Sequence, residues 1–328
     1  MPATMPRFGV PGERIQDTLV SDAPLLAGWS WPYTTIVGCE DGPLMTIIAG
    51  IHGCEYVSIH AAMRLAAEID PRELRGRVLI LPVINLPAFQ ERTPFVTPLD
   101  GKNPNRFFPG DPAGTFTDVL ADFVFTTCIA PSDAFIDLHG GDMVEALEPF
   151  AILAADAAPE VVARSRALAE AFGLPYTVCQ RGAPAGQRAG MTYAAAAAIG
   201  IPGLIAEAGG IGQLTMPDVD LLVNGTRRAL RAAGNLGGAE VVPGTRYLYA
   251  FDWCYTAVGG FWIADVRAGD DLVAGQEIGR VLALSGETLE TVVAPASGVV
   301  LFVTTSAAVK QQGLLLGLGV WPVSTEGV

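Results

Sequence analysis

Apolar positions in the first three quarters of the chain follow two periods, short uninterrupted runs and longer amphipathic stretches, which read as alternating buried strands and helices. Residues 44–49 form a short apolar run between Asp41-Gly42-Pro43 and Gly50, as in a short buried strand. From Glu55 the spacing turns helical, with Val57, Ile59, Ala62, Met63, Leu65 and Ala66 apolar and Arg64 and Glu68 on the other side. Residues 78–84, 134–136 and 203–206 read as further strands, and 118–129, 159–172 and 219–233 as helices. This alternation predicts an α/β sheet covered by helices. The first forty residues are less regular and are expected to add edge strands.

Near residue 245 the texture changes to short β-rich runs separated by Gly-Asp, Ala-Gly and Ser-Gly turns, with no helix of useful length. The pattern predicts two domains, 1–245 and a smaller all-β domain over 246–328. Val266-Arg267-Ala268-Gly269-Asp270, Val273-Ala274-Gly275-Gln276 and Ala294-Pro295-Ala296-Ser297-Gly298 resemble, in order, the glycine turns of the biotinyl/lipoyl-like β-sandwich. The lysine that a carrier domain modifies is missing, because Glu287 stands at that place.

The candidate chemistry sits at strand ends. His52 and Glu55 follow the 44–49 strand at its corner with the helix, where residues three apart can face the same way. Gly50 and Gly53 would permit a tight turn there and keep space clear around an ion. His139 closes the apolar run that begins at Ala134, and Asp137, two residues earlier, shares its face of the strand. Asp137 could orient a ligand histidine from behind or be an acid satisfied by backbone groups. Two histidines and one glutamate form a catalytic zinc ligand set that leaves one position open, which points to a hydrolase. The same set also accepts Mn²⁺, Fe²⁺ or Co²⁺. A lone His-x-x-Glu pair is common by chance, so the weight falls on the wider pattern. His60 lies on the helix, turned away from both residues, and the five cysteines show no metal or redox spacing.

Four ordered segments supply that pattern: Gly50 to Glu55, Asn103-Pro104-Asn105-Arg106-Phe107-Phe108-Pro109-Gly110, Asp137-Leu138-His139-Gly140-Gly141 and Ala206-Glu207-Ala208-Gly209-Gly210. Together they resemble the succinylglutamate desuccinylase/aspartoacylase family of the zinc carboxypeptidase-like group, over about residues 40 to 320. The resemblance implies a zinc carboxypeptidase-like mixed sheet and an amidohydrolase that removes an acyl group from an N-acylated amino acid. It makes His52, Glu55 and His139 the ligands of one Zn²⁺ and Glu207 the general base. It also makes Asn105 and Arg106 the pair that holds the substrate α-carboxylate, for which a planar guanidinium is suited. Arg92 takes the place of the arginine that polarises the scissile carbonyl, although its spacing from Asn105 is longer than the family pattern. Asp142 and Glu145 lie near His139 in sequence and could touch substrate, but loop acids are more often solvated.

Composition narrows the remaining choices. The chain has 328 residues, 50% hydrophobic and 16% charged, enough for a large core. A formal net charge of −14 argues against a nucleic-acid partner. An anionic substrate would be repelled at long range, so its capture must depend on local positive charge. The absence of a signal-like amino terminus or an uninterrupted membrane-length apolar run makes a soluble cytoplasmic protein the expectation. Alternatives to the deacylase are a carboxypeptidase-like peptidase and a non-catalytic binding or sensory protein. A base at Glu207 argues against the latter. Motif spacing leaves the acyl group, the substrate side chain and the oligomeric state open.

Overall fold

The computed structural model describes residues 5–182, 190–238, 240, 242 and 244–322. Its larger sheet contains nine strands: β1 (Arg14–Leu19), β2 (Trp31–Val37), β3 (Glu40–Ala49), β4 (Arg75–Leu81), β5 (Ala134–His139), β7 (Phe150–Ala154), β8 (Tyr176–Gln180), β9 (Gly203–Glu207) and β10 (Arg246–Leu248), with β6 (Glu145–Leu147) outside it. The spatial order is β1-β2-β4-β3-β5-β9-β7-β8-β10. β4, β3, β5 and β9 run parallel, while β1, β2 and the β9/β7 pairing are antiparallel, giving a mixed sheet. Helices α1 (Tyr56–Glu68), α2 (Leu86–Glu91), α3 (Phe116–Val124), α4 (Pro159–Phe172), α5 (Thr192–Ala198) and α6 (Met216–Ala232) complete the layer arrangement. Among the described residues, no helix is long and apolar enough to cross a membrane.

Alternation along the central strands divides the core into two. Met45, Ile47 and Ala49 of β3 join Ala134, Ile136 and Leu138 of β5 under α1, α4 and α6, whose Leu65, Phe172 and Leu222 fill that side. Ile48, Phe135, Ile152 and Ile205 face the other side, with Phe116, Leu120 and Phe123 of α3. Asp137 and His139 fall on this second side by the same alternation. α4 begins on Pro159 and ends before Gly173, whose φ of 78° suits glycine. The 118–129 helix divides into α3 and a π turn over Phe125–Ile129. β4 stops at Leu81 rather than residue 84 because Pro82 has no N–H to continue the ladder.

The carboxyl-terminal strands are β11 (Ala250–Tyr255), β12 (Gly260–Ala264), β13 (Asp271–Leu272), β14 (Glu277–Leu282), β15 (Thr288–Val293), β16 (Gly298–Thr304), β17 (Ala308–Val309) and β18 (Leu314–Val320). They form two sheets, β11-β18-β16-β13 and β15-β14-β12-β17, around Trp262, Ile278, Val281 and Leu316. Two strands tie this unit to the larger sheet. β10 lies beyond residue 245 yet pairs parallel with β8, and β6 pairs antiparallel with β16. Phe251, Leu301 and Phe302 accordingly share a core with Trp31 and Phe135.

Candidate functional site

The chain leaves β3 through Gly50, at φ 64°, and turns through His52 and Glu55 before α1 begins at Tyr56. Gly53 makes room for backbone rather than for an ion: a Cβ there would lie 2.2 Å from the amide nitrogen of Phe89 in α2. Glu55 stands between two imidazoles, its Oε1 2.7 Å from His52 Nδ1 and its Oε2 3.0 Å from His139 Nδ1. The ring centroids are 5.1 Å apart. One donor atom from each of these three residues lies within 4.8 Å of the others.

The outer ring nitrogens are supported from behind. His52 Nε2 is 3.0 Å from Asn103 Oδ1. His139 Nε2 is 3.1 Å from Asp137 Oδ2, which lies off the direct hydrogen-bonding line, and the Thr192 hydroxyl donates to that oxygen at 2.6 Å. Two imidazoles and a carboxylate with partners on the far nitrogens fit a divalent metal of the zinc type. Burial opposes the charge on Glu55, but His139 and His52 hold its carboxyl down at about 2. Burial likewise works against the imidazolium form, yet Glu55 raises His52, and Asp137 and Glu55 raise His139 well above the ordinary histidine value. A metal must displace these protons to bind.

Glu207 ends β9 in register with His139 on β5. Burial, with Glu55 and Glu145 nearby, raises its carboxyl well above the ordinary glutamate value against the opposing effect of His139. Glu207, Glu55, His52 and Arg106 line one cavity of about 720 Å³, whose opposite wall contains Phe251, Trp253, Tyr255 and Phe302 of the carboxyl-terminal sheets. Arg106 is directed by two contacts. Its Nη1 donates to the Asn105 carbonyl at 2.7 Å, and its Cζ lies 5.4 Å from the Trp253 ring centroid. Among the described residues no carboxylate pairs with it. Both lysines of the chain, Lys102 and Lys310, also line the cavity, with Lys102 bound to Asp118 and Lys310 exposed.

Other candidates take different places. Asn105 does not line the cavity; its Oδ1 accepts from the Thr192 amide at 3.1 Å and anchors the loop that carries Arg106. Arg92 is not brought to the cavity either. It caps α2 in the left-handed conformation, φ 55°, with its side chain exposed. Asp142 is buried, and its oxygens accept the amides of Phe95 at 2.7 Å and Met143 at 2.6 Å. Glu145 is also buried and lines the cavity, and burial pushes its carboxyl up to about 7. Sequence reasoning assigned no role to Asn103, Thr192 or Trp253. Asn103 opens the Asn-Pro-Asn-Arg segment and could have been suspected there, whereas nothing local marks the other two.

Residues 41–233 match the family model of the succinylglutamate desuccinylase/aspartoacylase catalytic domain. The chain is 32% identical over 263 residues, 75% of this chain and 72% of the relative, to N-alpha-acetyl-L-2,4-diaminobutyric acid deacetylase of Halomonas elongata. Among solved structures it resembles the ectoine utilization protein EutE of Ruegeria pomeroyi with product bound, at TM-score 0.83 and 26% identity, covering 97% of this chain and 99% of that one. It also resembles a succinylglutamate desuccinylase/aspartoacylase from Rhodobacter sphaeroides, at TM-score 0.81 and 26% identity, covering 93% and 95%.

Proposed function

Because the chain belongs to the succinylglutamate desuccinylase/aspartoacylase family, we propose that it is a zinc-dependent amidohydrolase that removes an acyl group from an N-acyl amino acid. The observation that carries this reading is the convergence of His52, Glu55 and His139 beside a cavity that also presents Glu207 and Arg106. The Halomonas relative, by name a deacetylase, supports acetyl as the acyl group.

His52, Glu55 and His139 would hold the metal, with Asp137 and Asn103 fixing the two rings. Zinc in such a site supplies a water of pKa about 7 and polarises the scissile carbonyl. Glu207 takes a proton from the attacking water and passes it to the leaving nitrogen as the C–N bond breaks, giving a carboxylate and a free amino acid. Arg106, held by Trp253 and by the Asn105 carbonyl, binds the α-carboxylate in bidentate fashion and sets the distance from that charge to the scissile bond. Asn105 keeps the Arg106 loop against Thr192.

The test compares an N-acetyl amino acid with its α-amide, which presents the same scissile bond without the negative charge. The acid should be preferred, and Arg106→Ala should lower kcat/KM for the acid by about 10- to 150-fold while largely sparing the amide, as befits a charge-assisted hydrogen bond of about 1.5–3 kcal/mol. Equal rates on acid and amide in the parent enzyme would favour a peptidase or another amide hydrolase.

A further inference from the structure

We propose that Glu145 anchors a positively charged amine on the substrate side chain, so that the enzyme selects N-acyl amino acids with an aminoalkyl side chain. The inference rests on the deacylase reading above and names the substrate class of the same site.

Glu145 has 9% of its surface exposed and that part faces the cavity. Its Oε2 accepts the Asp142 amide at 3.2 Å, while no hydrogen bond or ion pair reaches Oε1 among the described residues. A carboxylate that deep without a cation is unfavourable, and a partner supplied by the ligand removes the penalty. The raised carboxyl value near 7 is the behaviour of a buried acid lacking such a partner. Three other buried acids are engaged: Glu55 lies between the histidines, Asp142 accepts two backbone amides, and Asp137 accepts the Thr192 hydroxyl. Glu207, across the strands from His139, is already given the proton-transfer role.

Position also suits a side-chain anchor. Glu145 begins β6, which is held by pairing with β16, so its backbone is fixed from the carboxyl-terminal sheet. Both Glu145 and Arg106 line the cavity, and the nearby Glu145 charge favours the guanidinium form that burial opposes. One small molecule with its α-carboxylate at Arg106 and an ammonium at Glu145 satisfies both charges at once. Such a substrate is a zwitterion of zero net charge, so a protein of net charge −14 does not repel it at long range. An acidic side chain would meet Glu145 and be rejected.

The test uses metal-loaded full-length protein with three substrates: Nα-acetyl-L-2,4-diaminobutyrate, Nα-acetyl-L-norvaline of equal chain length, and Nα-acetyl-L-aspartate. The expected order of kcat/KM places the amine first by at least about 10-fold over norvaline, with aspartate last. In Glu145→Gln the amine-to-norvaline ratio should fall by about 10-fold or more. A parent enzyme that cleaves norvaline as well as the amine, or prefers aspartate, overturns the inference and leaves the deacylase reading standing. An unchanged ratio in the variant, with both substrates slowed alike, assigns Glu145 a structural role and also overturns it. Calorimetry with free L-2,4-diaminobutyrate and L-norvaline gives a readout independent of turnover. The amine should bind the parent more tightly and lose that advantage in Glu145→Gln. If none of the three substrates is cleaved, the deacylase reading fails; an equal affinity for the two amino acids then rejects the amine subsite as well.

Discussion

Glu207 and His139 are cross-strand neighbours, and substitution separates the roles proposed for them, proton carrier and metal ligand. Glu207→Gln should retain a full complement of zinc by elemental analysis while kcat falls by at least about 10²-fold, the low end for lost general-base catalysis. His139→Ala should lose the metal itself. A Glu207→Gln enzyme of near-normal turnover, or a His139→Ala protein that holds zinc as well as the parent, would remove these assignments. The convergence of His52, Glu55, His139 and Glu207 was legible because each lies at or beside a strand end, where a short motif fixes the direction of a side chain. Glu145 was not. Read locally it is an acid in a loop, and only the pairing of β6 with β16, more than 150 residues later, buries it. Arg92, expected to polarise the scissile carbonyl, lies away from the cavity lining because α2 turns its cap residue outward, and sequence order says nothing of that turn.

Between β4 and β5 the segment bearing Asn103 and Arg106 is held by an acid on each side. Asp118, in the first turn of α3, accepts the amide and hydroxyl of Thr115 at 2.8 and 2.9 Å and pairs with Lys102. Asp100 accepts the amide and hydroxyl of Thr117 at 2.8 and 2.7 Å. Asp118→Ala should cost about 1–2 kcal/mol of stability in urea unfolding, the range for a lost helix cap. Although burial works against both charges, these hydrogen bonds lower the two carboxyls below the ordinary 3.8. A folded value below the unfolded one means that the stabilisation is complete above the unfolded pKa and disappears as pH falls through the folded one. The parent should therefore lose thermal stability below roughly pH 5, and Asp118→Ala should lose less over that range. A parallel decline in both proteins would exclude Asp118 from the effect. The bounds of α4 could be read from Pro159 and Gly173, which are local signals. β10 could not be assigned to the larger sheet from sequence because only its pairing with β8 puts it there.

The two sheet systems share part of their apolar interior, with Phe251, Leu301 and Phe302 packed into the same cluster as Trp31 and Phe135. The change of texture at residue 245 therefore marks a change of architecture without marking a place to cut. A protein ending at residue 249 should expose this face and be recovered mainly as aggregate when expressed; a soluble, cooperatively unfolding product would show that the larger sheet closes its own core. The distribution of lysine has a consequence of another kind. Two lysines occur in 328 residues and both lie on the cavity wall, Lys310 exposed and Lys102 paired with Asp118. Of the two lysines, Lys310 should consequently take up an amine-selective dye ester first, as peptide mass mapping would show, and mass on Lys102 alone would refute that order. Lysine coupling, which on most proteins scatters a fluorophore over the whole surface, would here place it on the cavity wall and turn unmodified wild-type sequence into an optical reporter of ligand entry.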